Sequence, residues 1–302
     1  MSELVQIEGA PRPKTDPREI VRIAINLTFV CAISAVILGG SFMGTERVAK
    51  AARLAAERRA VSGLLALPDG ARVVEVSQYL DPAQRQVVYR ARPYGDEGAS
   101  AREFVFTLAG ALVRNGETAT PAAATLAPLG RTFVAYEGGA LAGFVVEGES
   151  RGYKNRIRFF VALDSAFVVQ GVQVLEHEED PGLGAEVATP WFRAQFVGRG
   201  ADQMAALDVT KDPMPEDWRA VLNSLAGEGA GPWRAKHADL LAREHARPVY
   251  AVTGATISSR ALTRGVRTTV DHFRRRWALL APQIGGASGA RPTAPRAHAS
   301  WC

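Results

Sequence analysis

Cysteine is scarce in this sequence, which has two cysteines, Cys31 and Cys302, and no CxxC pair. Iron–sulfur clusters and structural zinc held by this chain alone are not indicated, because both need grouped thiolates. The five histidines show neither HxxxH nor HExxH spacing, so no metal site is predicted. The sequence also lacks a GxGxxG motif, a P-loop and internal repeats. These absences argue against a dinucleotide-binding fold, a P-loop nucleotide site and a solenoid.

Positive charge is in small excess over negative charge. The chain has 36 basic and 31 acidic residues, a formal net charge of +5, and the basic residues are scattered along it. Nucleic-acid binding usually needs a focused basic face. The sequence therefore predicts no nucleic-acid partner.

A long apolar run is present near the N-terminus. Residues 23–44 contain no charged side chain, and at helical rise they span roughly 30 Å, the thickness of a bilayer core. We predict an uncleaved transmembrane helix in contact with membrane lipid, with a cleaved signal peptide as the alternative. Residues 1–22 form the preceding tail, and residues 45–70 a helical stalk or a separate surface helix. Positive charges are nearly balanced on the two sides of the run and do not decide its orientation.

The pattern changes from residue 71. Short β-branched and aromatic runs, separated by turn residues such as those at 138–140 and 164–166, predict strands. Helical patterns return towards the C-terminus. Strands followed by helices predict an α+β domain over residues 71–280. Residues 281–302 are small, proline-rich and polar, and predict a disordered tail.

The most informative motif is the TGATISS segment that begins at Thr253 and joins a short strand to a long helix. The helix has an apolar face with three- and four-residue spacing, formed by Leu262, Val266, Val270, Phe273 and Trp277. Its N-terminus offers free N–H groups close to Thr256 and Ser258, and Gly254 and Ala255 allow close approach to the backbone. This arrangement predicts a phosphate site. Helix capping by the hydroxyl groups is the alternative.

A second motif lies upstream. It reads HEEDPGLG over residues 177–184 and is followed by Trp191 and Phe196. Pro181 fixes one backbone dihedral and the glycines allow unusual ones, so a tight turn is predicted. A flat ring system can lie against such exposed backbone, although an ordinary turn has the same pattern.

The order of these features resembles the membrane-anchored FMN-binding subunits called RnfG and NqrC. TGAT is similar to their flavin-attachment motif, [S/T]-G-A-T, in which the threonine is joined to the FMN phosphate as a phosphoester by a dedicated flavin transferase. The resemblance implies covalent FMN on Thr256. The family loop resembles H-x-E-T-P-G-L-G, with Asp180 here in the usual threonine position. Tyr250 stands where the family usually has aspartate, three residues before the attachment motif.

The resemblance implies two groups of cofactor-binding residues. They are Thr253, Gly254, Ala255, Thr256 and Ser258 in the attachment motif, and Glu179, Gly182, Leu183 and Gly184 in the loop. The implied function is an electron-transfer subunit with no catalytic residue of its own, whose partners are the other subunits of an Rnf-type or Nqr-type complex. Rnf membership is favoured over Nqr. The implied location is the bacterial inner membrane, single-pass, with the flavin domain on the periplasmic side.

A membrane-anchored module that binds FMN noncovalently for regulation is the alternative from a different functional class. Other charged residues are weaker candidates. The acidic residues Glu178, Glu179 and Asp180 fit acid–base chemistry or solvated loop positions. Lys211 and a basic group on one predicted strand fit a phosphate site or a solvated face. That group is Arg151, Lys154, Arg156 and Arg158.

Overall fold

The computed structural model describes residues 17–68, 71–96, 98–119, 122 and 124–284. The chain divides into two compact units, Met1–Arg58 and Arg59–Cys302. The predicted tail over residues 1–16 and the part of the predicted C-terminal tail after residue 284 lie outside the described residues.

The first unit contains most of helix α1 (Pro17–Leu64). Within it, Val21–Gly39 has a mean hydropathy of 2.2 with none of its surface buried, and it is the one candidate membrane span among the described residues. This assignment rests on length and composition. Helix α1 begins before the predicted boundary at residue 23 and ends before the predicted boundary at residue 70.

The second unit is an α+β domain, which confirms the predicted fold class. Its main sheet has eight antiparallel strands in the order β4-β3-β2-β1-β5-β6-β7-β8. The strands are β1 (Arg72–Asp81), β2 (Gln86–Pro93), β3 (Ala101–Thr107), β4 (Leu112–Thr118), β5 (Ala127–Glu137), β6 (Ala140–Arg151), β7 (Arg156–Asp164) and β8 (Val169–Glu176). Both predicted turns, near residues 138 and 165, join neighbouring strands of this sheet.

Helices follow the sheet along the chain. They are a 3-10 helix (Gly184–Ala188), α2 (Pro190–Ala194), α3 (Ala201–Ala205), α4 (Glu216–Glu228), α5 (Ala230–Lys236), α6 (Ala238–His245) and α7 (Thr256–Ile284). Two short strands, β9 (Val209–Thr210) and β10 (Val249–Tyr250), pair in parallel. The chain between these paired strands carries α4, α5 and α6.

Alternation along the strands places apolar side chains on both faces of the sheet. Phe144 and its neighbours pack against α7, where the Phe144 ring lies 4.9 Å from that of Phe273. On the other face, Phe133 and Phe160 pack with Val61 from the last turn of α1. The larger cluster fixes α7 on the sheet and thereby positions its N-terminus.

The predicted apolar face of the last helix is confirmed. Leu262, Val266, Val270 and Phe273 are buried, and Trp277 packs against the same cluster. Helix α7 continues to Ile284, past residue 281, where the C-terminal tail was predicted to start. Leu280 and Ile284 are buried, and this apolar contact extends the helix beyond the proline at 282.

Candidate functional site

A cleft of about 650 Å³ opens at the N-terminus of α7. It is lined by Thr253, Gly254 and Thr256 of the predicted attachment motif, together with residues from other elements. These others are Glu186, Trp191, Lys211, Asp212, Pro213, Met214, Arg219, Ala251 and Val252. The volume is within the usual range for cofactor pockets. The cleft therefore joins the predicted motif to residues that are distant in sequence.

The turn before α7 is held by hydrogen bonds to a buried serine. Ser259 Oγ accepts from the Val252 N–H at 3.0 Å and donates to the Ala255 carbonyl at 2.9 Å. Gly254 has φ of +79°, in the left-handed region that glycine favours. This conformation leaves Thr253 and Gly254 exposed and places Thr256 at the first position of the helix.

Glu179 connects the upstream loop to α7. Its carboxylate accepts hydrogen bonds from Ser258 Oγ, from the Tyr153 N–H at 3.1 Å and from the Lys154 N–H at 3.0 Å. Burial raises the pKa of Glu179, but the hydrogen bonds from Ser258 and from the backbone N–H groups of residues 153–155 outweigh this effect and lower the pKa below its ordinary value. Ser258 therefore ties two segments together, and its hydroxyl is not used as a helix cap.

The loop glycines have two different roles. Gly182 has φ of +74°, which confirms the prediction of an unusual dihedral there. At Gly184, a Cβ atom would lie 2.7 Å from Glu179 Oε2 and 2.8 Å from Ser258 Oγ, so only glycine allows this close packing. Leu183 covers Gly254, since one of its methyl groups would lie 3.1 Å from a Cβ at that position. The loop thus reaches the edge of the cleft.

Cations and acids both line the cleft. Within the described part of the chain, Lys211 and Arg219 have no carboxylate at ion-pair distance, while Glu186 and Asp212 supply negative charge. The Arg219 guanidinium carbon lies 4.5 Å from the centre of the Trp191 ring. Sequence reasoning left Lys211 undecided and missed Arg219, because nothing local to α4 relates it to the motif.

The basic residues that were predicted on one strand pair with carboxylates and do not line the cleft. Arg158 pairs with Glu147 and with Glu176, the latter at 3.0 Å, and Lys154 pairs with Asp180. Arg156 lies 3.4 Å from an oxygen of Glu149, and Glu178 accepts from Asn155 Nδ2 at 2.7 Å. These pairs match the interpretation as a solvated face. In the described residues, no group of three or more His, Cys, Asp or Glu side chains is placed to hold a metal ion.

Tyr250, three residues before the predicted attachment motif, is buried in a polar network. Its hydroxyl donates to Glu244 Oε2 at 2.9 Å and accepts from Arg247 Nη1 at 3.3 Å. Its backbone N–H and carbonyl both pair with the Gln195 side-chain amide. Tyr250 therefore positions the strand that leads into the attachment motif.

The cleft residues fit a phosphate ester with an attached ring system. Hydroxyl groups, unpaired cations and the N-terminal N–H groups of α7 are suitable partners for phosphate, and Trp191 and Met214 supply apolar surface. The chemistry of this donor set agrees with FMN as the ligand.

Comparison with known proteins finds a similar family and several relatives. Residues 152–271 match the profile of the family described as FMN-binding domain. The G subunit of the proton-translocating ferredoxin:NAD(+) oxidoreductase complex of Clostridium ljungdahlii is 30% identical over 139 residues, which are 46% of this chain and 57% of that protein. The C subunit of the Na(+)-translocating NADH-quinone reductase of Vibrio campbellii is 28% identical over 102 residues, 32% of this chain and 39% of that protein.

Among solved structures, the chain matches NqrC of Shewanella oneidensis with a TM-score of 0.42 and 18% identity, covering 74% of this chain and 99% of the other. The chain spans about half the length of these curated relatives.

Proposed function

We propose that this chain carries FMN covalently on Thr256, a proposal supported by the match of residues 152–271 to the FMN-binding domain family and by the similarity to G subunits of ion-translocating complexes. In this proposal it is an electron-relay subunit of an ion-translocating membrane oxidoreductase complex. An Rnf-type complex is favoured, because the relatives at 30% identity carry names of that type. The other subunits of the complex are its proposed partners.

One observation carries the choice of Thr256: the hydroxyl groups around the motif are not equally available. Ser258 and Ser259 are buried and hydrogen-bonded to Glu179 and to the turn backbone. Of the four hydroxyl residues, only Thr253 and Thr256 line the cleft. The family pattern selects the second of these, which is also the one at the N-terminus of α7.

The chemistry of electron transfer comes from the flavin, which accepts one or two electrons when bound. The chain has to hold the cofactor, orient it and set its electrostatic surroundings. No acid–base residue is required. The phosphoester keeps FMN in place in a compartment that lacks free FMN. Because a threonine hydroxyl is a weak nucleophile, we propose that a flavin transferase forms the bond.

The membrane arrangement is also part of the proposal. Val21–Gly39 crosses the bacterial inner membrane once, and the flavin domain lies on the periplasmic side. The apolar composition of the span and the names of the relatives support membrane anchoring. The C-terminal domain over residues 71–284 is the flavin domain.

Substitution of the attachment residue tests the proposal. Thr256→Val keeps the side-chain shape and removes the hydroxyl, so it should abolish covalent FMN in cells that contain a flavin transferase. Thr253→Val, the matched control on the same cleft, should retain it. Mass spectrometry of the peptide that contains Thr256, with in-gel flavin fluorescence after denaturation, gives the readout.

Two results would contradict the proposal. An unmodified wild-type peptide, from cells that flavinylate other proteins, would favour the noncovalent FMN-binding or regulatory module. Loss of the flavin in Thr253→Val with retention in Thr256→Val would place the bond on the other hydroxyl.

A further inference from the structure

The helical segment between β9 and β10 contributes one wall of the cleft. Val249 pairs with Val209 and Tyr250 with Thr210, so the chain leaves the cleft and returns to it at neighbouring positions. At its start, this segment supplies Lys211, Met214 and Arg219 to the cleft that also contains Thr256.

Arg219 is held in a defined place within that wall. Its guanidinium carbon lies 4.5 Å from the centre of the Trp191 ring, within the distance of a cation–π contact. Trp191 is nearly buried and packs edge-on against Phe192, with ring centres 5.6 Å apart. The indole is therefore a rigid support, and the cation–π contact favours this position for the exposed Arg219 side chain.

The charge of Arg219 is also uncompensated by a direct ion pair. None of the described carboxylates lies within ion-pair distance of it, and the acidic residues that line the cleft are Glu186 and Asp212. Since Arg219 occupies a face of Trp191, a flat ring that enters the cleft on that side meets the guanidinium group and not bare indole.

We propose that Arg219, stacked on Trp191, places a fixed positive charge beside the isoalloxazine ring and raises its reduction potential. The inference rests on the proposed function. FMN that takes up two electrons from the upstream redox centre and one proton from solvent gains one negative charge. A nearby cation lowers the free energy of this reduced form relative to the oxidised form. The residue thus tunes the cofactor and is not needed for its attachment.

Three variants test the inference in the full-length, flavinylated protein. Arg219→Gln should shift the midpoint potential of the bound flavin to a more negative value, measured by spectroelectrochemical titration. Arg219→Lys should retain most of the wild-type potential because it keeps the charge. Arg264→Gln removes the same charge from an exposed position of α7 outside this cleft, and it should leave the potential unchanged.

Two further measurements distinguish failure of this inference from failure of the proposed function. Mass spectrometry first establishes whether each variant carries FMN, and thermal denaturation shows that it is folded. Loaded Arg219→Gln with the wild-type potential would overturn the inference while the proposed function stands. Equal shifts in Arg219→Gln and Arg219→Lys, or in Arg219→Gln and Arg264→Gln, would also overturn it, because the effect would then not come from charge at this place. Absence of FMN from the wild-type protein would instead contradict the proposed function.

Discussion

Replacement of Ser258 by alanine tests how the loop and α7 are joined. Ser258 is 2% exposed, and its hydroxyl donates to the carboxylate of Glu179, which is 4% exposed. The substitution leaves Glu179 with its backbone donors, from Tyr153 and Lys154, and removes one charge-assisted hydrogen bond.

The expected loss of stability follows from that single bond. A hydrogen bond to a charged group contributes about 1.5–3 kcal/mol to the free energy of unfolding. For a domain of this size, each kcal/mol changes Tm by about 2–4 °C. Ser258→Ala should therefore lower Tm by roughly 3–12 °C at neutral pH. The flavin should remain on Thr256, because Ser258 does not line the cleft.

The pH dependence distinguishes this explanation from loss of a neutral cap. The folded-state pKa of Glu179 is lowered, with burial opposing the hydrogen bonds that lower it. Its contribution to stability is therefore present above the ordinary carboxyl pKa and is lost as the pH falls through the folded-state pKa. The difference between Ser258→Ala and wild type should be largest near pH 7 and shrink in acid.

Urea denaturation at several pH values, with Thr268→Ala as a control, completes this test. Thr268 is an exposed hydroxyl residue on the same helix, so its loss should change the free energy of unfolding by less than about 0.5 kcal/mol. A similar small change for Ser258→Ala, or a larger one that is independent of pH, would refute the reasoning.

Three further predictions concern the loop, the membrane topology and the buried tyrosine. Leu183→Ala should shift the flavin absorbance spectrum or potential without lowering Tm, because Leu183 is 47% exposed at the edge of the cleft; unchanged flavin properties would show that the loop is only structural. A reporter that matures only outside the cytoplasm should be active when it is fused after Ile284. Activity of a cytoplasm-only reporter at the same site would contradict the topology. Tyr250→Asp should destabilise the domain by about 3–5 kcal/mol in urea denaturation, because it removes a buried aromatic ring and puts a carboxylate beside buried Glu244. Normal stability with a raised flavinylated fraction would show instead that the flavin transferase reads this position.

Local patterns in the sequence were sufficient to predict the helix and the turns in which those patterns occur. The apolar spacing of α7 and the turn residues between strands predicted the helix face and two hairpins, since periodicity and turn chemistry are local properties. The TGAT motif was also recognised from local sequence, and FMN attachment to it stays a prediction. Its position at the first turn of α7 follows from the glycine and the helix that comes after it.

Contacts between distant segments were not predictable in the same way. Glu179 and Ser258 are far apart in sequence, and a serine at a helix start has a plausible local role as a cap. Arg219 gave no signal, because an exposed arginine on an amphipathic helix is expected in any soluble domain. Only the packing of α4 against α2, and of the loop against α7, shows which of these polar residues meet.

The pairing of β9 with β10 has a consequence for how this domain tolerates changes in length. Because Val209 and Val249 are neighbours in space, the chain between them is a long insertion whose two ends are held together by β9 and β10. The entropic cost of such a loop grows only slowly with its length. Changes of length in the connections between α4, α5 and α6 should therefore leave β10 and the turn before α7 in place. The helices themselves belong to the core through Trp218, Leu222, Trp233 and Leu241, and Glu244 of α6 holds Tyr250.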